Sequence, residues 1–219
     1  MKLTRRVLSL VLSLCMIISM FSGLTLMASA EDAGYTLVTD ASNLAAGNKV
    51  IIAAATRDFA MGASAGKGTS DFRNRADITK DGDILTPGEG VSVFTLEDAG
   101  DGKFAFNDGT GYLTAADGAN YLLTSETLEE NGKWTVTIGE TGEAAIVAES
   151  STSKGDKGPQ NIRHNNSSPR FSCYSSGQEA VALYKQTTAI VDPDPPVDDG
   201  IVKFVFMDTS DLKSEAKRS

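Results

Sequence analysis

The chain has 219 residues and sets 29 acidic against 20 basic side chains, for a net charge of −9. An acidic balance of that size repels phosphate backbones and disfavours unfocused nucleic-acid binding. Its two cysteines, Cys15 and Cys173, fall on opposite sides of an expected cleavage point, which excludes a disulfide framework and calls for an ordinary hydrophobic core.

Residues 1–30 read as a secretory signal peptide. Lys2, Arg5 and Arg6 give a positive start, Val7 to Met27 is an almost unbroken apolar run, and Ala28-Ser29-Ala30 is a small-residue cleavage signal. The apolar run is also long enough to span a bilayer, so an uncleaved anchor is the alternative. With cleavage the three cations leave, the charge moves from −9 to −12, and the expected location is extracellular, with no membrane attachment.

Residues 31–186 form the expected domain. From Tyr35 onward short alternating runs (VFTLE, KFAFN, KWTVTI, EAAIVA) are separated by AGDG, NDGTG, ENGK and ETGE turns, with no long helical period. The pattern repeats. Phe94-Thr95-Leu96 matches Trp134-Thr135-Val136, and Phe104 and Phe106 match Ala144 and Ile146, at the same separation of 40. Leu113 matches Ile162 and Leu122 matches Phe171 at a separation of 49, so a nine-residue insertion is expected within Ser150 to Gly158. Val181-Ala182-Leu183 starts the pattern again, to be continued circularly by Lys49–Ala54 and Phe59-Ala60-Met61.

Three copies of a four-strand unit resemble a β-trefoil. The opening strand Tyr35–Val38 makes a thirteenth strand, and the Q-x-W signature of ricin-type lectins is absent, so a closed β-barrel of other connectivity is the alternative. At a finer level YTLVTDASNLAAGNKVII, Asn74-Arg75, FTLE, GYLTA, the tryptophan strand and FSCYSSG…VALYK resemble an accessory module of secreted multidomain bacterial proteins. The resemblance implies a place beside nuclease, nucleotidase or other hydrolase domains, and it carries no catalytic residue across.

Residues 187–200, with TTAIVDPDPPVDDG, read as an extended charged linker. Residues 201–219 alternate like one strand and then turn polar, as the start of an incomplete second domain or as an edge strand docked on the first.

No G-x-S-x-G, P-loop or H-E-x-x-H motif is present, and one His with one mature Cys offers no zinc set. Neither catalytic residues nor a metal or cofactor is expected. His164 shares its face with Ile162 and Cys173 with Phe171, which places both in the core phase, as does the match of Trp134 to Phe94 and Val181. Asp81, Asp83, Asp98 and Asp101 are turn aspartates lacking a calcium loop.

The candidate binding residues lie in the opposite phase. Tyr112, Tyr121 and Tyr174 are the aromatic candidates; Arg163, Asn165 and Arg170 form one basic, amide-rich cluster, and Arg73 and Arg75 beside Asn74 a second. Planar guanidinium groups suit carboxylates, phosphates or sugar hydroxyls. The expected role is a non-catalytic accessory module that binds an extracellular glycan or other polymer. The alternatives are the N-terminal part of a larger extracellular hydrolase and a spacer without a ligand.

Overall fold

The computed structural model describes residues 34–65, 71–155 and 157–187. The expected signal peptide, all but Thr187 of the expected linker, and the 201–219 segment lie outside the described residues.

The fold is all-β. In chain order the strands are β1 (Tyr35–Leu37), β2 (Lys49–Ala54), β3 (Phe59–Ser64), β4 (Arg73–Asp81), β5 (Ile84–Pro87), β6 (Phe94–Asp98) and β7 (Phe104–Asn107). They continue as β8 (Tyr112–Ala115), β9 (Leu122–Ser125), β10 (Thr135–Ile138), β11 (Glu143–Thr152), β12 (Pro159–His164), β13 (Arg170–Tyr174) and β14 (Val181–Gln186). The only helical segments among the described residues are single 3-10 turns at Ala41–Asn43 and Glu130–Gly132.

The strands close on themselves. β14 pairs with β2, β2 with β6, β6 with β7, β10 with β11, and β11 with β14. The ring is completed where Phe104 and Trp134 exchange backbone hydrogen bonds of 2.9 and 2.8 Å. All the pairings are antiparallel, and the six-stranded barrel they enclose has no free edge within it. Three hairpins flank the ring: β3–β4, β8–β9 and β12–β13.

The register has threefold character. At each junction the first residue of one repeat faces the second strand of the previous one: Phe94 opposite Val50, Trp134 opposite Phe104, and Val181 opposite Ala144. Leu113 faces Thr124 in one hairpin and Ile162 faces Cys173 in another, so both partners are displaced by the same 49 residues. This is β-trefoil architecture, with repeats β14–β2–β3–β4, β6–β9 and β10–β13.

Side-chain alternation sends one phase of every barrel strand inward. Phe94, Leu96, Phe106, Trp134, Ile146, Val181 and Leu183 therefore meet in one core, joined by Leu113, Ile162 and Phe171 from the hairpins. Burying each large apolar side chain stabilises by roughly 1.5–3 kcal/mol. Trp134 keeps its indole N–H satisfied by donating to the Leu113 carbonyl at 3.0 Å.

Two strands exceed the trefoil's twelve. β5 folds back from β4 across a two-residue Gly82-Asp83 turn, with Asp81 opposite Ile84, and Gly82 adopts φ +56° there. β1 then fits between β5 and β14. The pair covers the outer face of the barrel, so Ile51, Ala53, Ala182 and Tyr184 pack with Tyr35 and Leu85 in a second core. That cover explains why KVIIAA is apolar in both phases. β5 is absent from the strand pattern read in the sequence, because Thr86 and Pro87 interrupt its alternation and its turn resembles a loop.

The insertion in the third repeat has two parts. β11 runs on to Thr152 through a register shift after Ala148, and a turn then leads to Pro159 at the start of β12. The first turn of the second repeat shows the local chemistry: Asp98 accepts from the Gly100 N–H at 2.9 Å, while Gly100, Asp101 and Gly102 take left-handed φ of 79°, 54° and 72°.

Candidate functional site

The turn between the second and third strands is held by the hairpin of the preceding repeat in the second and third repeats, and in the first by the segment that leads from β13 into β14. In the first repeat Thr56 donates its N–H and hydroxyl to Glu179, and Arg57 pairs with the same carboxylate at 3.2 Å. In the second, Asp108 pairs with Arg73 at 2.7 Å. In the third, Thr152 donates its N–H and hydroxyl to Asp117, and the Lys154 N–H donates to Asn120. Two of these junctions open into hollows.

The first hollow, of about 450 Å³, lies at the Arg73–Asp108 junction. Arg73 at the start of β4 has a side chain only 2% exposed, and that of Asp108 is 9% exposed. The Arg73 Nη2 donates to Asp108 Oδ2 and to Thr124 Oγ1, while its Nε is buried without a hydrogen-bond partner. Asp108 Oδ1 accepts from the Thr110 N–H and hydroxyl and from the Gly111 N–H. Burial pushes the Asp108 carboxyl up, but the Thr110 bonds and the Arg73 guanidinium outweigh it and hold the group below the usual carboxylate range. Ser64, Ser92 and Thr110 add hydroxyls to the hollow's lining, and Val91 and Val93 give it an apolar wall. Ser64 is itself bonded to the Asp71 carboxylate.

The second hollow, of about 490 Å³, lies where the Lys154–Lys157 loop meets Asn120 and the Tyr174–Gln178 turn. Lysines, amides and hydroxyls line it, and no acidic side chain does so among the described residues.

The arginines read as two clusters in the sequence adjoin in the fold, because β13 pairs with β4 and sets Arg170 opposite Asn74 and Phe171 opposite Arg73. They do not form an open cationic patch. Arg73 is buried against Asp108, Arg75 stacks on Phe59 with 4.0 Å from guanidinium carbon to ring centroid, and Arg170 lies over Phe72 at 5.1 Å. Arg163 donates to the Gln178 carbonyl at 3.2 Å.

The tyrosines separate. Tyr112 and Tyr121 stand at opposite ends of the β8–β9 hairpin, since Tyr112 faces Ser125 and Ala115 faces Leu122. The Tyr112 hydroxyl donates to Glu97 at 2.9 Å, and that bond raises its pKa. Tyr174 is buried, and its hydroxyl accepts from Asn165 Nδ2 at 2.6 Å, while Asn165 Oδ1 accepts from the Ser167 N–H. Tyr174 still lines the second hollow, beside Asn120, the neighbour of Tyr121.

Sequence reasoning missed Asp108, Lys154 and Lys157. Asp108 looks like one more turn aspartate in NDGTG, and its distinguishing contact is with a residue 35 positions away. Cys173 is fully buried, and burial pushes its thiol well up. His164 is 1% exposed; its Nδ1 lies 3.0 Å from Glu179 Oε2, and burial lowers its pKa. Among the described residues no three His, Cys, Asp or Glu side chains gather in a metal-binding group.

No family model and no curated protein matches the chain. Among solved structures it is similar to a designed threefold-symmetric protein, ThreeFoil, with TM-score 0.42 and 19% identity, over 62% of this chain and 96% of that one. It is also similar to the lysenin pore, with TM-score 0.41 and 10% identity, over 64% of this chain and 47% of that one. A complex of lysenin with phosphocholine gives TM-score 0.41 and 10% identity, over 69% and 48%. The chain thus spans about half the length of the lysenin chains it resembles.

Proposed function

We propose that the domain is a secreted, non-catalytic module that binds an extracellular carbohydrate polymer through the hollow between its first and second repeats. The observation that carries this reading is the Arg73–Asp108 pair in the lining of that hollow. A buried ion pair is a weak device for stability, since apolar residues of similar volume do as well or better. Beside an open hollow the pair has another use. A carboxylate with accepting capacity left on Oδ2, next to the Ser92 hydroxyl and to Ser64 and Thr110 hydroxyl oxygens that can still accept, suits vicinal sugar hydroxyls, while Val91 and Val93 suit the C–H face of a ring. In this reading the domain is an accessory beside a separate catalytic domain, in line with the module it resembles in sequence.

Native gels cast with a panel of soluble neutral polysaccharides test it. Retardation of the parent is expected in at least one lane, and Asp108→Asn, which keeps the shape but not the charge, is expected to run as in the glycan-free lane. A folded Asp108→Asn protein retarded as strongly as the parent removes the site, and unchanged parent mobility in every lane removes the binding role.

A further inference from the structure

Most cations of the domain are engaged. Arg57, Arg73, Lys103 and Lys133 pair with carboxylates. Lys80, Arg163 and Lys185 donate to backbone carbonyls, and Arg75 and Arg170 lie over aromatic rings. Among the described residues, Lys49, Lys154 and Lys157 are left without such a partner. Two of those three line one hollow, the second described above, which no acidic side chain among the described residues lines. In a chain of net charge −9, Lys154 and Lys157 outnumber the one acidic residue between them in sequence, Asp156.

The lysines are also positioned. They sit on the insertion that distinguishes the third repeat, and that loop is tied to the β8–β9 turn from the second. Thr152 bonds Asp117 through its N–H and hydroxyl at 2.9 and 2.8 Å, and the Lys154 N–H reaches Asn120 at 3.2 Å. Across the hollow stand Ser175, Gln178 and the rim of Tyr174. Ammonium groups are strongly hydrated point charges that attract an oxyanion without demanding a planar fork, and hydroxyls and amides exchange hydrogen bonds with sugar hydroxyls.

We propose that this hollow binds the oxyanion of an acidic polysaccharide, whether a sugar carboxylate or a phosphate on a polyol chain. The inference rests on the reading that the domain is a glycan-binding module, but it concerns a different hollow and different residues.

The test uses the full secreted chain in native gels containing polygalacturonate, a poly(glycerol phosphate), neutral dextran or duplex DNA. Retardation by at least one of the two acidic polymers is expected, with the stronger lane telling carboxylate from phosphate. It should vanish near 1 M salt, where the Debye length is about 3 Å. Lys154→Ala/Lys157→Ala, at exposed positions, should weaken binding by roughly tenfold or more. Lys49→Ala, which removes an equally unpartnered charge elsewhere, should leave it within about twofold of the parent. The inference is overturned if neither acidic polymer retards the parent, if the double variant binds like the parent, if Lys49→Ala loses as much, or if DNA is held as tightly. Retardation by a neutral glycan that depends on Asp108, with no response to either polyanion, overturns this inference alone and leaves the first reading standing.

Discussion

His164 and Glu179 are joined three times. Their backbones exchange N–H to carbonyl hydrogen bonds of 3.1 Å in both directions, and His164 Nδ1 meets Glu179 Oε2 at 3.0 Å. Phe59 and Phe171 close on the imidazole, with ring centroids 5.8 and 5.0 Å away, and its Nε2 is buried without a partner. Arg57 brings a guanidinium to the same carboxylate at 3.2 Å. The chain's one histidine thus ties the hairpin of the third repeat to the segment that begins the first.

The pH dependence of stability follows from that setting. Burial lowers the His164 pKa below its ordinary 6.5, so between the two values the unfolded chain binds the extra proton. Stability is therefore complete above about pH 6.5 and is lost as pH falls toward the folded-state value. Burial raises the Glu179 pKa, but Thr56 and His164 outweigh it, and Asp108 behaves likewise; both end below 4.5 and 3.8 respectively, so their losses come at lower pH. Urea midpoints should decline from pH 7 to 5.5, and His164→Gln should flatten that decline while leaving the fall below pH 4.5 in place. A decline unchanged in His164→Gln would remove the histidine from the account.

Arg73→Ala should destabilise the domain by roughly 3–5 kcal/mol, because it leaves Asp108 charged at a mostly buried site. Arg73→Met/Asp108→Leu should recover most of that loss. Denaturant titration of the single and double variants measures both, and a double variant as unstable as Arg73→Ala would show that packing rather than the orphaned charge sets the cost.

Trp134→Phe should cost about 1–3 kcal/mol. The ring stays apolar, but the buried Leu113 carbonyl loses the indole donor held at 3.0 Å. Trp134→Ala should cost roughly 3–5 kcal/mol, since it opens a cavity at the junction between the second and third repeats. Chemical unfolding of the two variants distinguishes the hydrogen bond from the volume.

Cys173 should resist a thiol reagent in the native protein. It is fully buried in the same core cluster as Phe171, and burial disfavours the reactive thiolate. Labelling with an aromatic disulfide should proceed only at the rate of unfolding and accelerate with urea to the unfolded-thiol rate. Rapid stoichiometric labelling without denaturant would contradict the burial.

Gly111→Ala should destabilise the domain and disturb Asp108 together. A Cβ there would overlap the Ser125 carbonyl oxygen, and the Gly111 N–H is one of the donors to Asp108 Oδ1, at 3.2 Å. A lowered melting temperature with weakened glycan retardation is expected. Parent-like values for both would show that the β7–β8 turn relaxes freely.

The repeat of apolar residues by itself determined the barrel. Phe94, Trp134 and Val181 occupy equivalent buried positions because a closed antiparallel ring demands the same inward phase at the start of each repeat, and a period is visible in one dimension. β1, outside that repeat, was legible as a short run ahead of it, and β5 was not, because its role is to cover an outer face that only the folded barrel creates. The sequence showed which side chains were polar and in which phase, so it could name Arg73, Arg75 and Arg170 as cationic. It held no record of Asp108 reaching Arg73, of Phe59 and Phe72 lying under the other two, or of Asn165 meeting Tyr174. The arginine contacts join residues 16 to 98 positions apart in the chain, and whether a charge is free or satisfied depends on them. Tertiary structure alone therefore decided that the unpartnered cations of the second hollow are Lys154 and Lys157, and that the conspicuous arginines are mostly engaged.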